Sequence, residues 1–199
     1  MTADVAELIR SDWRRNFGPS FDRLRACLLL SEVRLEQGVH RWAATHGGRV
    51  PLATWGMTRF LGSIYQWIVA SSNIPGSAIL GRALRLPHPT NIIVGAEVTI
   101  GDECTLYQGV TIAGNNLRGP TRRAVLGDHV IVGAHSLIIG AVDVGDWSIV
   151  AAGAVVSKSV PAFSLATAAP ITVRPRTDLA PRDVGYPVAN PDDGQAPNG

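Results

Sequence analysis

The chain has almost no cysteine: of its 199 residues only Cys27 and Cys104 are cysteines, and no Cys-x-x-Cys or Cys/His cluster accompanies them. That excludes a disulfide scaffold and a thiolate zinc site, and it leaves two thiols expected to be reduced and buried. Long hydrophobic runs are also missing. None approaches the roughly 18–20 residues that a membrane-spanning helix needs, so no integral membrane segment is expected. The opening MTADVAELIRSDWRRNFG lacks the basic-then-apolar order of a secretory leader, so the protein is expected to be cytoplasmic. An excess of one charge is missing too. Eighteen Lys and Arg against 16 Asp and Glu leave a formal charge of +2, with the basic residues dispersed, which argues against nucleic acid as a partner.

What is present is a period of six. Val94, Ile100, Leu106 and Ile112 fall in step, and Leu126, Val132, Ile138, Val144, Val150 and Val156 resume it. Self-similarity at a short fixed period means that each unit buries its apolar face only by stacking on the next, which is the mark of a parallel β-helix. Gly or Ala usually follows the aliphatic residue, where the chain must turn a corner. The fifth place of each unit is compact: Val98, Cys104, Val110, Val130, Ser136, Val142, Ser148, Ala154 and Val160. Three units make one triangular coil of eighteen residues. A β sandwich would instead show a period of two with turns every ~8–12 residues, and it fits much worse.

From about Asp4 to Ser72 the period is helical, with Val5, Leu8, Ile9 and Trp13, then Leu24, Leu28, Val33 and Leu35 after a Gly18–Pro19 break. The division expected is an N-terminal α-helical segment over 1–72, a β-helix domain over 73–175 and a flexible tail over 176–199, rich in Pro, Asp, Gly and Asn. The apolar stretch from Trp55 to Ala70 reads as a helix packed on a neighbouring helix or subunit. The sixfold register is already present in Ile74, Leu80, Leu86 and Ile92, but shifted by two residues, and the shift falls next to His88. Fourteen residues separate Ile112 from Leu126, so AGNNLRGPTRRAV is a polar loop thrown out of the coil; such loops are more often functional than accidental.

Five histidines are available. His40 and His46 lie in the helical part, and His129 and His135 inside ordinary units, where a solvated or hydrogen-bonded imidazole is expected. His88 differs: in LPHPT it stands between two stiffening prolines, at a discontinuity in the coil. A three-histidine zinc site is not expected, because His129 and His135 are six apart and so lie on successive faces of one prism. No metal is therefore assigned.

The stretches LRLPHPTNIIVGAEVTIGDECTLYQGVTIAG and LGDHVIVGAHSLIIGAVDVGDWSIVAAGAVVSKSVP, and more loosely RSDWRRN, carry a resemblance. They resemble the serine acetyltransferase-type hexapeptide-repeat acyltransferases. The resemblance implies a mainly β fold, a left-handed parallel β-helix preceded by the helical segment, that trimerises side by side and binds acetyl-CoA between two prisms. A dimer of such trimers stays open. It implies His88 as general base on a small-molecule hydroxyl acceptor, with the loop from Arg118 to Arg123 closing over that acceptor. An imidazole within reach removes the proton that makes an alcohol a poor nucleophile. Asn73, Gln108, Arg122 and Arg123 match family positions near the acceptor. Gly114, Ala134 and Ala152 match positions where the backbone approaches the pantetheine arm, and Lys158 one that could meet the CoA phosphates.

The chain departs from the family in ways that bear on the acceptor. Pro87 stands where serine acetyltransferases resemble one another in placing a carboxylate, Asn73 aligns with a second family aspartate, and Arg123 with a family histidine. The base is thus expected to lack its usual charged orienter unless Glu97 or a neighbouring subunit supplies one. The function implied is acetyl-CoA-dependent O-acetylation, with L-serine as default acceptor in cysteine biosynthesis and a saccharide or natural-product hydroxyl as the alternative. A non-catalytic trimeric scaffold is the competing class.

Overall fold

The computed structural model describes residues 4–45, 56, 60, 62, 64–66, 70–96, 98–114 and 123–169, with the backbone alone at 40 and 44. His46, Glu97, the loop through Arg122, most of the Trp55 to Ala70 stretch, the His40 side chain and the whole tail lie outside the described residues.

Among the described residues the aliphatic period becomes twelve short strands. In chain order these are β1 (Ile79–Leu80), β2 (Ile93–Val94), β3 (Thr99–Ile100), β4 (Thr105–Leu106), β5 (Thr111–Ala113) and β6 (Val125–Leu126). They continue with β7 (Ile131–Val132), β8 (Leu137–Ile139), β9 (Asp143–Val144), β10 (Ile149–Val150), β11 (Val155–Val156) and β12 (Leu165–Ala166). They stack into three parallel four-stranded sheets, β1-β3-β6-β9, β4-β7-β10-β12 and β2-β5-β8-β11, the three faces of a prism. Ile93 pairs with Thr111, Val125 with Asp143 and Ile131 with Ile149, each partner eighteen residues on. In most strands the first residue points outward and the second is buried, as the pleat requires. All ten residues of the main sixfold series, from Val94 to Val156, are buried, and Val98, Cys104, Val110, Val130 and Val142 in the fifth place join them. Each such aliphatic burial is worth about 1.5–3 kcal/mol, so the stacked column is the main source of stability.

The coil departs from eighteen at three points. Ile79 pairs with Thr99, twenty residues on, because two extra residues enter next to His88. Ile92 therefore sits in the fifth place ahead of Val94, not in the first place that its spacing from Leu86 suggests. The excursion between β5 and β6 adds eight residues, since Thr99 pairs with Val125. Val160 bridges Val144, so the last coil is two residues short and Val160 takes a first place, contrary to the fifth place expected of it.

Between sheets the chain turns through left-handed backbone conformations. One corner carries Ala83, Glu103, His129, Trp147 and Phe163 at φ 54 to 59°, and a second carries Asn91, Gly109, His135 and Gly153 at φ 54 to 69°. These positions recur because each such N–H donates to a carbonyl in the coil above: Glu103 to Arg82, His129 to Asp102, Trp147 to Asp128, Gly109 to Thr90, His135 to Gln108 and Gly153 to Ala134. At the first corner an aspartate ladder runs alongside. Asp102, Asp128 and Asp146 accept from the main-chain N–H groups of Arg82, Asp102 and Asp128 at 2.7–2.8 Å.

The helices α1 (Val5–Asn16) and α2 (Phe21–Thr45) lie ahead of the coil, with further helical residues at 56, 60, 62, 64 and 65, in one compact unit that ends at Ala169. They part at Gly18–Pro19, as expected, and the Ser20 hydroxyl accepts from the N–H of Arg23, capping α2. The buried face of α2 is Ala26, Cys27, Leu29, Leu30 and Val33; Leu24, Leu28 and Leu35, read as part of the apolar stripe, are exposed. A fully buried ion pair fastens the helices to the first coil. Arg34 Nε donates to Asp12 Oδ2 at 2.8 Å, and its other nitrogens donate to Leu80 O and Gly81 O. Asn16 extends the clamp, donating to Leu84 O at 2.7 Å and accepting from Leu86 N–H at 2.8 Å. Every buried polar group in this set has a partner, which is the condition under which such a network is tolerated.

Candidate active site

The two residues inserted next to His88 push the chain out at the corner between the β4 and β2 faces, and hydrogen bonds fix both flanks of the bulge. Asn16 holds the N–H of Leu86. Thr90 N–H donates to His88 O at 2.8 Å, and the buried Ser72 hydroxyl donates to Pro89 O at 3.3 Å and accepts from Ile92 N–H at 3.0 Å. The imidazole projects from this braced turn and is 55% exposed. Its Nδ1 lies 3.0 Å from Asp22 Oδ2, in the first turn of α2. The second Asp22 oxygen lies 3.5 Å from Arg25. The expectation that the base lacks a carboxylate unless Glu97 or another subunit supplies one is thereby corrected, because Asp22 of the same chain occupies that place. Nothing local in the sequence links residues 22 and 88; what marks Asp22 is its place just inside a capped helix start.

Below His88 the same corner carries Gln108, then Ala134, then Ala152, one per coil, tied by the main-chain ladder described above. Three of the residues expected in the site thus stand in one row, which the ladder continues up to Thr90, two residues past His88. The Gln108 carboxamide oxygen is buried and has no hydrogen-bond partner among the described residues. Small residues leave the lower row open: a Cβ on Gly153 would meet nothing within 4 Å. Gly109 is needed at φ +69°, where a Cβ would also run into the His135 ring, so the chain beside Gln108 cannot carry a side chain there.

The remaining expected residues are not in this row. Gly114 and Arg123 flank the loop at the next corner, past β5, and Lys158 lies exposed at that corner below β11. The β2-β5-β8-β11 face separates the two sets in a single chain. Asn73 is exposed and lies above β2, where its N–H donates to Ile92 O and its carbonyl accepts from Val94 N–H. His129 and His135 lie on different corners, the former stacked on Trp147 at a centroid distance of 3.9 Å. Burial pushes the Cys104 thiol up to about 11 and also raises that of Cys27, so neither is a nucleophile at neutral pH.

No family model matches the chain. It is 33% identical over 103 residues to a serine acetyltransferase of Mycobacterium tuberculosis, covering 52% of this chain and 45% of that protein. To a serine acetyltransferase of Helicobacter pylori it is 35% identical over 113 residues, covering 57% and 66%. The fold matches a crystal structure of Brucella abortus serine acetyltransferase in complex with coenzyme A at a TM-score of 0.67, with 26% identity and coverage of 83% and 65%. The chain belongs to the serine acetyltransferase-like hexapeptide-repeat family. Its coil is accordingly the left-handed parallel β-helix of that family, with helices placed ahead of it. The chain spans about half to two thirds of the length of the family members it matches. Among the described residues no helix is long and apolar enough to cross a membrane.

Proposed function

We propose that the chain is an acetyl-CoA-dependent O-acetyltransferase that acetylates L-serine in the route to cysteine, with His88 as general base. The observation that carries this reading is the corner that bears His88. A ring held at Nδ1 projects at the corner that carries, on the next coils, an acceptor atom without a partner among the described residues, on Gln108, and a run of small residues. The acceptor hydroxyl gives its proton to His88 Nε2 as its oxygen attacks the thioester carbonyl. The C–O bond forms, the C–S bond breaks, and the proton passes on to the departing thiolate of CoA. Gln108 Oε1 accepts a hydrogen bond from the acceptor molecule. The pantetheine arm of the substrate runs past Ala134 and Ala152, where only methyl groups stand between it and the backbone, so it can pair with main-chain groups. The site is completed by a neighbouring copy in a homotrimer, which brings Gly114, Arg122, Arg123 and Lys158 of its other corner to the same substrate. Arginine there suits a carboxylate on the acceptor, and Lys158 the CoA phosphates. Residues 1–72 and 73–175 act as one catalytic unit in the cytoplasm.

A second acceptor class, a saccharide or natural-product hydroxyl, is favoured by Pro87 and Asn73. Neither offers the charge that would hold an ammonium group. The test is thiol release from acetyl-CoA by the purified chain beside His88→Ala. Release that needs both L-serine and His88 supports the serine reading. Release with a sugar acceptor only selects the second class. A His88→Ala variant as fast as the wild type would sink the assignment of the base.

A further inference from the structure

We propose that Asp22, carried by α2, is the positioning residue of His88, doing from the helical segment what the residues at positions 73 and 87 cannot do in this chain. This rests on the acetyltransferase reading for its catalytic consequence, but not for the pairing itself. The carboxylate is an acceptor only, so the 3.0 Å contact places a proton on Nδ1 and leaves the lone pair on Nε2. When Nε2 takes a proton from the acceptor, the same carboxylate stabilises the imidazolium, which an asparagine would not do.

Three further observations show that the pair is built rather than incidental. Arg25, one turn along α2, lies 3.5 Å from the other Asp22 oxygen and fixes the carboxylate's orientation, while its guanidinium sits 5.8 Å over the Phe21 ring. The helix start that carries Asp22 is set by the Ser20 cap. Finally, the Asp12–Arg34–Asn16 clamp holds the helices to the main chain at Leu80, Leu84 and Leu86, the last only two residues before His88. Base and orienter thus share one rigid frame although 66 residues separate them. The alternatives are weaker. Asn73 is engaged through its main chain above β2, and Pro87 has no side-chain acceptor. At 55% and 38% side-chain exposure, His88 and Asp22 contribute little to stability, so substituting Asp22 leaves the fold in place.

The test uses Asp22→Ala and Asp22→Glu in the full chain. In long-range 15N–1H spectra recorded where the rings are neutral, the His88 signals are those lost in His88→Gln. The wild type is expected to hold the Nδ1–H tautomer, Asp22→Ala to lose that preference, and Asp22→Glu to regain it in part. An unchanged tautomer in Asp22→Ala overturns the pairing. In thiol release, Asp22→Ala is expected to lower kcat by about 10²-fold or more with KM for acetyl-CoA unchanged, and Glu to restore part of the loss. If Asp22→Ala turns over at close to the wild-type rate while His88→Ala is dead, the positioning role fails and the function stands. If the wild type transfers no acetyl group, the function fails, and the spectra decide the pairing alone.

Discussion

Single residues at the coil corners carry more of the architecture than their exposure suggests, and Asp102 is the clearest case. Its carboxylate accepts from the main-chain N–H of Arg82 at 2.7 Å and from its guanidinium at 2.8 and 3.0 Å, so one side chain binds the first coil to the second. Partial burial pushes its carboxyl up, but the hydrogen bonds and charge of Arg82 outweigh that, and it titrates below the usual carboxylate value. A group with a depressed folded-state pKa binds fewer protons in the folded state. Its stabilisation is present above the unfolded value of about 3.9 and is lost as pH falls through the folded value. Asp102→Asn is therefore expected to melt below the wild type at neutral pH, by a small margin because water screens the pair. The two melting curves should converge below about pH 4. A gap that is constant with pH would show that the charge of Asp102 is not what ties the coils.

At the scale of elements, the two helices act as a lid fastened to the open end of the prism, and Asn16 is the fastening nearest the site. It is 3% exposed, donates to Asp12 O and Leu84 O, and accepts from Leu86 N–H. Asn16→Ala leaves Leu84 O and Leu86 N–H buried without partners, which costs about 2–6 kcal/mol at roughly 1–3 per group. It also loosens the turn that aims His88. Urea unfolding is expected to show the stability loss, and turnover at a temperature where the variant is fully folded is expected to fall as well. Normal turnover would separate the clamp from the site. The strands were legible because their signal is local, an aliphatic residue every sixth place and a compact one four later. The outward and inward roles follow from that period alone, whereas the place of His88 depends on the two residues inserted beside it, which break the period. The helix faces were less so, since Leu24, Leu28 and Leu35 have helical spacing yet point away from Leu29, Leu30 and Val33. Asp22 and the Asp12–Arg34 pair were illegible for a physical reason: their partners are 22 to 66 residues away, and no periodicity encodes a contact between a helix and the coil it caps.

For the whole molecule, the outward residues decide what the prism can join. The β4-β7-β10-β12 face presents Ile131, Ile149 and Leu165, and the β2-β5-β8-β11 face Ile93, Ile139 and Val155, all exposed in one chain. The third face alternates, with Ile79 and Val125 exposed beside Thr99 and Asp143. Apolar outward residues on two different faces of one subunit suit a heterologous contact, which closes into a ring when the rotation allows, and the proposed homotrimer is such a ring. In the proposed trimer the two corners that carry the expected site residues would meet between neighbouring copies: His88, Gln108, Ala134 and Ala152 on one, and Gly114, Arg123 and Lys158 on the next. Ile149→Asp changes an outward side chain only, so the coil's interior column is untouched. The variant is expected to remain folded by circular dichroism, to run as a monomer in light scattering where the wild type runs as a trimer or a multiple of it, and to lose turnover although His88 and Asp22 are intact. A monomeric Ile149→Asp with full activity would mean that one chain holds a complete site, and that the residues at the second corner take no part in it.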